Sequence, residues 1–229
     1  LNYAVTIPLW KKWLSHLFPL TLESSGSALN PELSVLLDRG RLQLLSGNAI
    51  YSWDDLYHNF LLAFDDANIS ERPIKDVLLL GLGLGSVPYM LEKVFGLECR
   101  ITAVEIDETV AELAMRYSLH RLDNPVDVVT ADAGIFVEVC EEMFDLIVID
   151  IFEDDKTPEQ FERLDFLEIC RDMLNPGGLL MYNRLYREGP VSVSTDRFYN
   201  DVFLKTFPEG KALDTKGNWV LVGENTINE

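Results

Sequence analysis

Three acidic residues stand where short apolar runs end. Glu105 follows Arg100–Val104, Asp132 lies just past Val126–Thr130, and Asp150 closes Phe144–Ile149. Apolar runs of this length, bounded by polar residues, read as strands buried on both faces. A charge at the tip of such a strand is costly unless it faces a cleft or finds a partner. At such a tip Asp150 can orient an amine or accept its proton. Glu105 can accept hydrogen bonds from both hydroxyls of a ribose. Asp132 can accept from an exocyclic adenine amine while the N–H of Ala133 meets a ring nitrogen, or it can simply cap the helix over Gly134–Cys140.

A fourth element lies upstream. Val77–Leu80 runs directly into Gly81-Leu82-Gly83-Leu84-Gly85. Glycines let a backbone bend sharply and come close to a ligand, and the helix that follows offers N–H groups to an anion. The dinucleotide fingerprint wants glycine or alanine where Ser86 stands. Glu105, 20 residues beyond Gly85, does not separate nicotinamide dinucleotides from S-adenosylmethionine, because both present a ribose.

The elements that must position these residues alternate. After Ile74 the pattern reads strand, glycine loop and helix to about Phe95, then the Glu105 strand. A helix capped by Asp107 runs to Tyr117, before the Asp132 and Asp150 strands. A helix over Glu159–Leu174 is broken by Asn175-Pro176-Gly177-Gly178. A strand at Leu179–Tyr182, a helix over Thr195–Phe207 and a strand at Trp219–Val222 close the chain. Such alternation predicts a mostly parallel sheet with helices on both faces. Upstream, Leu33–Leu37, Arg41–Leu45 and Ala49–Trp53 with turns between them predict a small antiparallel β appendage. Asp54 or Asp55 is expected to cap a helix through Phe64. The expected divisions are an amphipathic segment over 1–20, the appendage and linking helix over 21–73, and the nucleoside-binding domain over 74–229.

Composition narrows the function. The chain has 229 residues, 48% hydrophobic and 25% charged, which suits one globular domain with an appendage. The net charge of −19 repels polyphosphates, so no nucleic-acid partner is expected; small cations such as polyamines are attracted instead. The three cysteines, Cys99, Cys140 and Cys170, form no CxxC pair. They read as free buried thiols in a reducing compartment, with no metal site. No apolar run is long enough to span a bilayer, and a cytoplasmic location is expected. Tyr3–Leu20 mixes Trp10, Trp13, Leu14, Leu17 and Phe18 with Lys11, Lys12 and His16, and is expected to dock on the domain or on a second subunit.

Taken in order, the glycine loop, Glu105, Asp132, Asp150 and the Leu174–Gly178 turn resemble the class I S-adenosylmethionine-dependent transferases. Tyr57-His58, Val104-Glu105-Ile106-Asp107, Asp132-Ala133, Ile149-Asp150 and Asn218-Trp219-Val220 resemble more closely the spermidine synthase, or polyamine aminopropyltransferase, family. The resemblance implies a Rossmann-like α/β fold and a homodimer. It implies a donor, S-adenosylmethionine or its decarboxylated form, bound by Gly81, Gly83, Gly85, Glu105, Asp132, Ala133 and His58. It further implies that Asp150, helped by Glu153, deprotonates a small, cationic amine acceptor.

The chain departs from the family where the acceptor and aminopropyl arm bind. Leu84 replaces an acid, Ser46–Ile50 replaces an Asp-Gly-x-x-Gln turn, Asn59 replaces Glu, and Ile151-Phe152-Glu153-Asp154 replaces Ser-Ser-Asp-Pro. These losses argue against spermidine synthesis itself. Methyl transfer and aminopropyl transfer both stay open, with a silent nucleoside-binding module as the alternative and an NAD-dependent oxidoreductase behind it.

Overall fold

The structure, a computed structural model, describes residues 4–47, 49–153 and 156–226. Residues 1–3, Asn48, Asp154, Asp155 and 227–229 lie outside the described residues, Tyr3 and part of the acidic run after Glu153 among them.

The N-terminal part is an antiparallel meander of β1 (Leu20–Ser25), β2 (Leu33–Asp38), β3 (Arg41–Ser46) and β4 (Ala49–Ser52). The sequence pattern had indicated the last three. β1 was missed because Leu20, Leu22 and the polar residues between them alternate too briefly to stand out. Alternation is clearest in β2, where Leu33, Val35 and Leu37 are buried. They pack with Leu42, Leu44, Leu84 and the Val110, Leu113 and Tyr117 side chains of the main domain. The helix α1 (Leu9–Leu14) buries no residue fully, and Leu9, Trp10, Trp13 and Leu17 remain exposed. The segment around it meets the domain through Val5 and Ile7, which pack against that core, and through the buried Ser15, whereas the apolar face of α1 itself stays open.

The helix expected from Asp54 begins later. A 3-10 turn over Asp54–Leu56 precedes α2 (His58–Asp66), and neither Asp54 nor Asp55 caps it. Asp54 is buried instead, accepting two hydrogen bonds from the Arg121 guanidinium at 2.7 and 3.1 Å and one from Leu42 N at 3.0 Å. Asp55 pairs with Arg41.

The main domain is a seven-stranded sheet in the order β10-β11-β9-β8-β5-β6-β7. β5 (Asp76–Leu80), β6 (Arg100–Glu105), β7 (Val126–Thr130), β8 (Phe144–Ile149) and β9 (Leu174–Leu185) run parallel; β11 (Asn218–Glu224) pairs antiparallel with β9, and β10 (Lys211–Asp214) pairs antiparallel with β11, so β11 alone is reversed. Helices cover both faces. Phe60 and Phe64 of α2 pack on Val77 and Leu79, on the face that also holds Met90, Leu91 and Ala114. On the other face α5 (Ala133–Val139), α6 (Leu164–Asp172) and α7 (Pro190–Phe198) contribute Val137, Leu167 and Phe198 against Leu78 and Leu80. The expected fold class is the one observed.

Several boundaries moved for physical reasons. The segment after the glycine loop starts as α3 (Ser86–Tyr89) and continues as a π-helical turn over Met90–Val94. Glu159–Leu174 is not one helix: a 3-10 turn over Glu159–Glu162 precedes α6, and Leu174 already pairs with Phe144. Asn175–Gly178 is a bulge inside β9, where the register against β8 shifts. The last helix begins at Pro190, because proline suits a first helical turn. α4 (Glu108–Tyr117) matches its expected bounds, with the Asp107 side chain accepting from Thr109 N at 3.0 Å.

The Asp54–Arg121 clasp joins the appendage to the main domain. Arg121→Met is expected to lower stability by about 2 kcal/mol, because Asp54 stays buried and loses its countercharge. Urea denaturation of the two proteins measures this.

Candidate active site

The sheet changes its direction of winding between β5 and β8, and clefts form at the C-terminal ends of strands at such a point. Gly81 leaves β5 there with φ +93°. A Cβ on it would lie 2.3 Å from the Asp150 carbonyl oxygen, so only glycine lets the two strand ends meet. Gly83 faces the appendage: its Cβ would lie 3.3 Å from both Tyr51 O and Ser52 Cβ. The appendage grips the loop further through Ser52 Oγ, which accepts from Leu84 N at 2.9 Å. Ser86 Oγ accepts from Trp53 N, also at 2.9 Å. Ser86, the misfit to the dinucleotide fingerprint, is thus occupied in holding the appendage. Leu84 is buried in the appendage core and does not line the cleft as a replaced acid would.

Glu105 ends β6 and binds the loop. Its Oε2 accepts from Leu82 N at 3.1 Å and Gly83 N at 3.3 Å, and its Oε1 accepts from Asp107 N at 3.1 Å. Desolvation raises its pKa and outweighs these backbone N–H groups, which lower it. Asp107 ties the appendage in by accepting from Asn30 Nδ2 at 2.6 Å and from Ser27 Oγ. Sequence reasoning had no signal for Ser27 or Asn30, which lie about eighty residues away.

Asp150 is half-buried at the tip of β8. Its Oδ1 accepts from Asn183 Nδ2 at 2.8 Å and from the Tyr57 hydroxyl at 3.2 Å. Burial pushes its pKa up to about 7, against these two hydrogen bonds and with some help from the Glu105 charge. The same burial and the Asp150 charge hold the Tyr57 phenol well above its ordinary value. Asn183 Oδ1 accepts in turn from Asn218 Nδ2 at 2.8 Å, and Thr215 Oγ1 donates to Asn59 Oδ1 at 3.1 Å. The floor beside Asp150 is therefore built from amides and hydroxyls.

The remaining expected residues fall into two groups. Asp132 caps α5, its Oδ1 accepting from Ile135 N at 3.1 Å, while Oδ2 accepts from Gln160 Nε2 at 3.1 Å. Ala133 opens that helix, in the first turn, where backbone N–H groups lack intrahelical acceptors. Ile106 and Ile135 stand exposed beside Glu105 and Asp132. His58, expected at the donor, and Glu153, expected as the helper of Asp150, are exposed, and the side-chain hydrogen bonds to Asp150 come from Tyr57 and Asn183. Glu153 sits in a bridge with Lys156, and Tyr57 rather than His58 points into the site. Asn183 was missed because nothing near it in sequence marks it as polar floor; its place after the apolar run Leu179–Tyr182 is the one available cue.

The sheet order and the acids at its strand tips define the class I methyltransferase fold. Residues 55–187, more than half of the chain, match the spermine/spermidine synthase domain, and the chain belongs to that family. It is 31% identical over 110 residues to a polyamine aminopropyltransferase of Vibrio vulnificus, covering 47% of this chain and 36% of that protein. It is 33% identical over 143 residues to an eEF1A lysine and N-terminal methyltransferase homolog of Drosophila melanogaster, covering 58% and 20%. The chain thus spans well under two thirds of either relative. Spermidine synthase from Thermotoga maritima superposes with a TM-score of 0.69 at 17% identity, covering 91% of this chain and 74% of that one. Among the described residues no helix is long and apolar enough to cross a membrane.

Two outcomes test this geometry. Gly81→Ala is expected to cost about 3 kcal/mol in urea denaturation, from the left-handed backbone and the clash with the Asp150 carbonyl. The raised pKa of Asp150 makes its protonated form the stable one in the fold. Its contribution is present below about pH 4, the unfolded value, and is lost as pH rises to about 7. Asp150→Asn removes the buried charge, so it is expected to raise the thermal midpoint at pH 8 and leave it nearly unchanged at pH 4.

Proposed function

We propose that this protein is a transferase that moves a methyl group from S-adenosylmethionine to a small amine acceptor, with Asp150 as the base. The observation that carries this reading is the Tyr57–Asp150–Asn183 cluster, recessed where the glycine loop and β8 meet. In this reading Gly81, Gly83 and Gly85 let the donor lie against the loop backbone. Glu105 takes the ribose hydroxyls, and Asp132 and Ala133 read the adenine edge. The exposed faces of Ile106 and Ile135 cover the ring.

The chemistry is an in-line displacement. The acceptor nitrogen's lone pair forms the new N–C bond as the C–S bond breaks, and the bonding electrons return to sulfur as a neutral thioether. The proton leaves nitrogen for the Asp150 carboxylate. The sulfonium is already a good leaving group, so alignment and exclusion of water supply most of the acceleration. A carboxyl poised near neutrality suits a base, and a cation arriving beside it favours the ionised form. Tyr57 and Asn183 fix the orientation of that carboxylate.

The choice of donor rests on electrostatics. The buried Leu84 puts no acid at the donor's tail. An acid there would attract an aminopropyl ammonium and repel a methionine carboxylate. Aminopropyl transfer from the decarboxylated donor is the second reading, favoured by the family match over residues 55–187. Calorimetry with both donors separates the two: tighter binding of intact S-adenosylmethionine is expected, and a clear preference for the decarboxylated form overturns the choice. With amine acceptors, Asp150→Asn is expected to cut adenosylhomocysteine formation by roughly 100-fold or more, with donor affinity changing far less. A protein that binds the nucleoside and turns over no amine would instead be a silent binding module.

A further inference from the structure

The segment between β8 and α6 carries a clamp that the chemistry above does not use. Arg184, near the end of β9, is buried, and its guanidinium lies 4.4 Å from the Phe198 ring centroid. Its Nη2 donates to Glu162 Oε1, while Nε and Nη1 have no hydrogen-bond acceptor among the described residues. Glu162 is therefore its carboxylate partner in the described structure. A buried cation with one such partner holds that partner firmly, because separation leaves the charge uncompensated.

Two more contacts fix the same turn. Phe161 is buried, and its carbonyl accepts from the Tyr182 hydroxyl at 3.0 Å. Its ring lies against the first turn of α5, with Cε1 3.8 Å from where a Cβ on Gly134 would stand. The turn Glu159–Glu162 is thus pinned, and it delivers the exposed side chain of Gln160 to Asp132 Oδ2. An unconstrained surface glutamine would be free to turn to water; this one is aimed at the acid assigned to adenine.

We propose that Gln160 is a second adenine-reading residue, positioned by the Arg184–Glu162 pair. The inference rests on the adenosine reading of Asp132. With its NH2 committed to Asp132, the Gln160 amide leaves its carbonyl oxygen free. The exocyclic amine of adenine carries two hydrogens. One goes to the Asp132 carboxylate and the second to Gln160 Oε1. A hypoxanthine ring presents a carbonyl at that edge and meets two acceptors, so the pair selects adenine.

The test is calorimetry with adenosylhomocysteine and its inosine analogue, on the wild type and on Gln160→Leu, Glu162→Gln and Asp132→Asn. Gln160→Leu is expected to bind the adenosine ligand about five- to tenfold more weakly and to lose a similar factor of its preference over the inosine ligand. Glu162→Gln is expected to produce a similar loss without touching the ligand. The double variant Gln160→Leu/Glu162→Gln should then be no weaker than Gln160→Leu alone. A merely structural role for Glu162 would give additive losses, and that outcome overturns the positioning claim. Gln160 lies on the surface, so its variant reports even if Glu162→Gln fails to fold. Unchanged affinity and preference in Gln160→Leu, with Asp132→Asn weakened, overturns the role of Gln160 and leaves the adenosine reading intact. A wild type that binds neither ligand removes the adenosine reading itself.

Discussion

The ends of β5, β6 and β8 converge on one bend of backbone, and the bend exists because Gly81 has no side chain. Its Cα rests so close to the Asp150 carbonyl that a single added carbon would fall 2.3 Å away. That contact brings the tip of β8 beside the glycine loop. Glu105 secures the loop from the other side by accepting from Leu82 N and Gly83 N. Remove the close approach, and the loop, Glu105 and the recessed carboxyl no longer share one cleft.

The appendage completes that cleft. Ser52 and Ser86 exchange hydrogen bonds across the boundary with Leu84 N and Trp53 N, and Asp107 binds the Ser27–Asn30 turn. The Asp54–Arg121 clasp adds a buried charge pair, and Leu84 joins the apolar core of the meander. The residue that stands where the family keeps an acid is thereby spent on packing. A side chain that fills the appendage core cannot also present a charge to the cleft.

Near Asp150 the same economy holds. Amides and hydroxyls from Asn183, Asn218, Asn59, Thr215 and Tyr57 satisfy one another, so the carboxyl sits in a setting that is polar yet poorly hydrated. Burial then dominates its titration and pushes it up to about 7. An acid in ordinary solvent would be ionised throughout the neutral range and a weaker base for it.

The strands of the main sheet and the carboxylates at their tips were legible in the order of residues alone. Val77–Leu80, Arg100–Glu105, Val126–Thr130 and Phe144–Ile149 are readable because a strand buried on both faces must be apolar throughout, and a polar residue marks its end. Asp107 and Asp132 were readable as helix caps because a cap and its N–H lie within three residues. Local signals failed where partners are distant or geometry is irregular: the π turn at Met90–Val94, the bulge at Asn175–Gly178, and the late start of α2. Which side chains meet depends on the packing of the folded chain. That packing brought Tyr57 and Asn183 to Asp150 across 93 and 33 residues, left His58 and Glu153 at the surface, and turned Arg184 inward onto Glu162. Spacing along a chain fixes the face of a strand or helix, whereas contact between elements depends on how those faces pack, and no single segment carries that information.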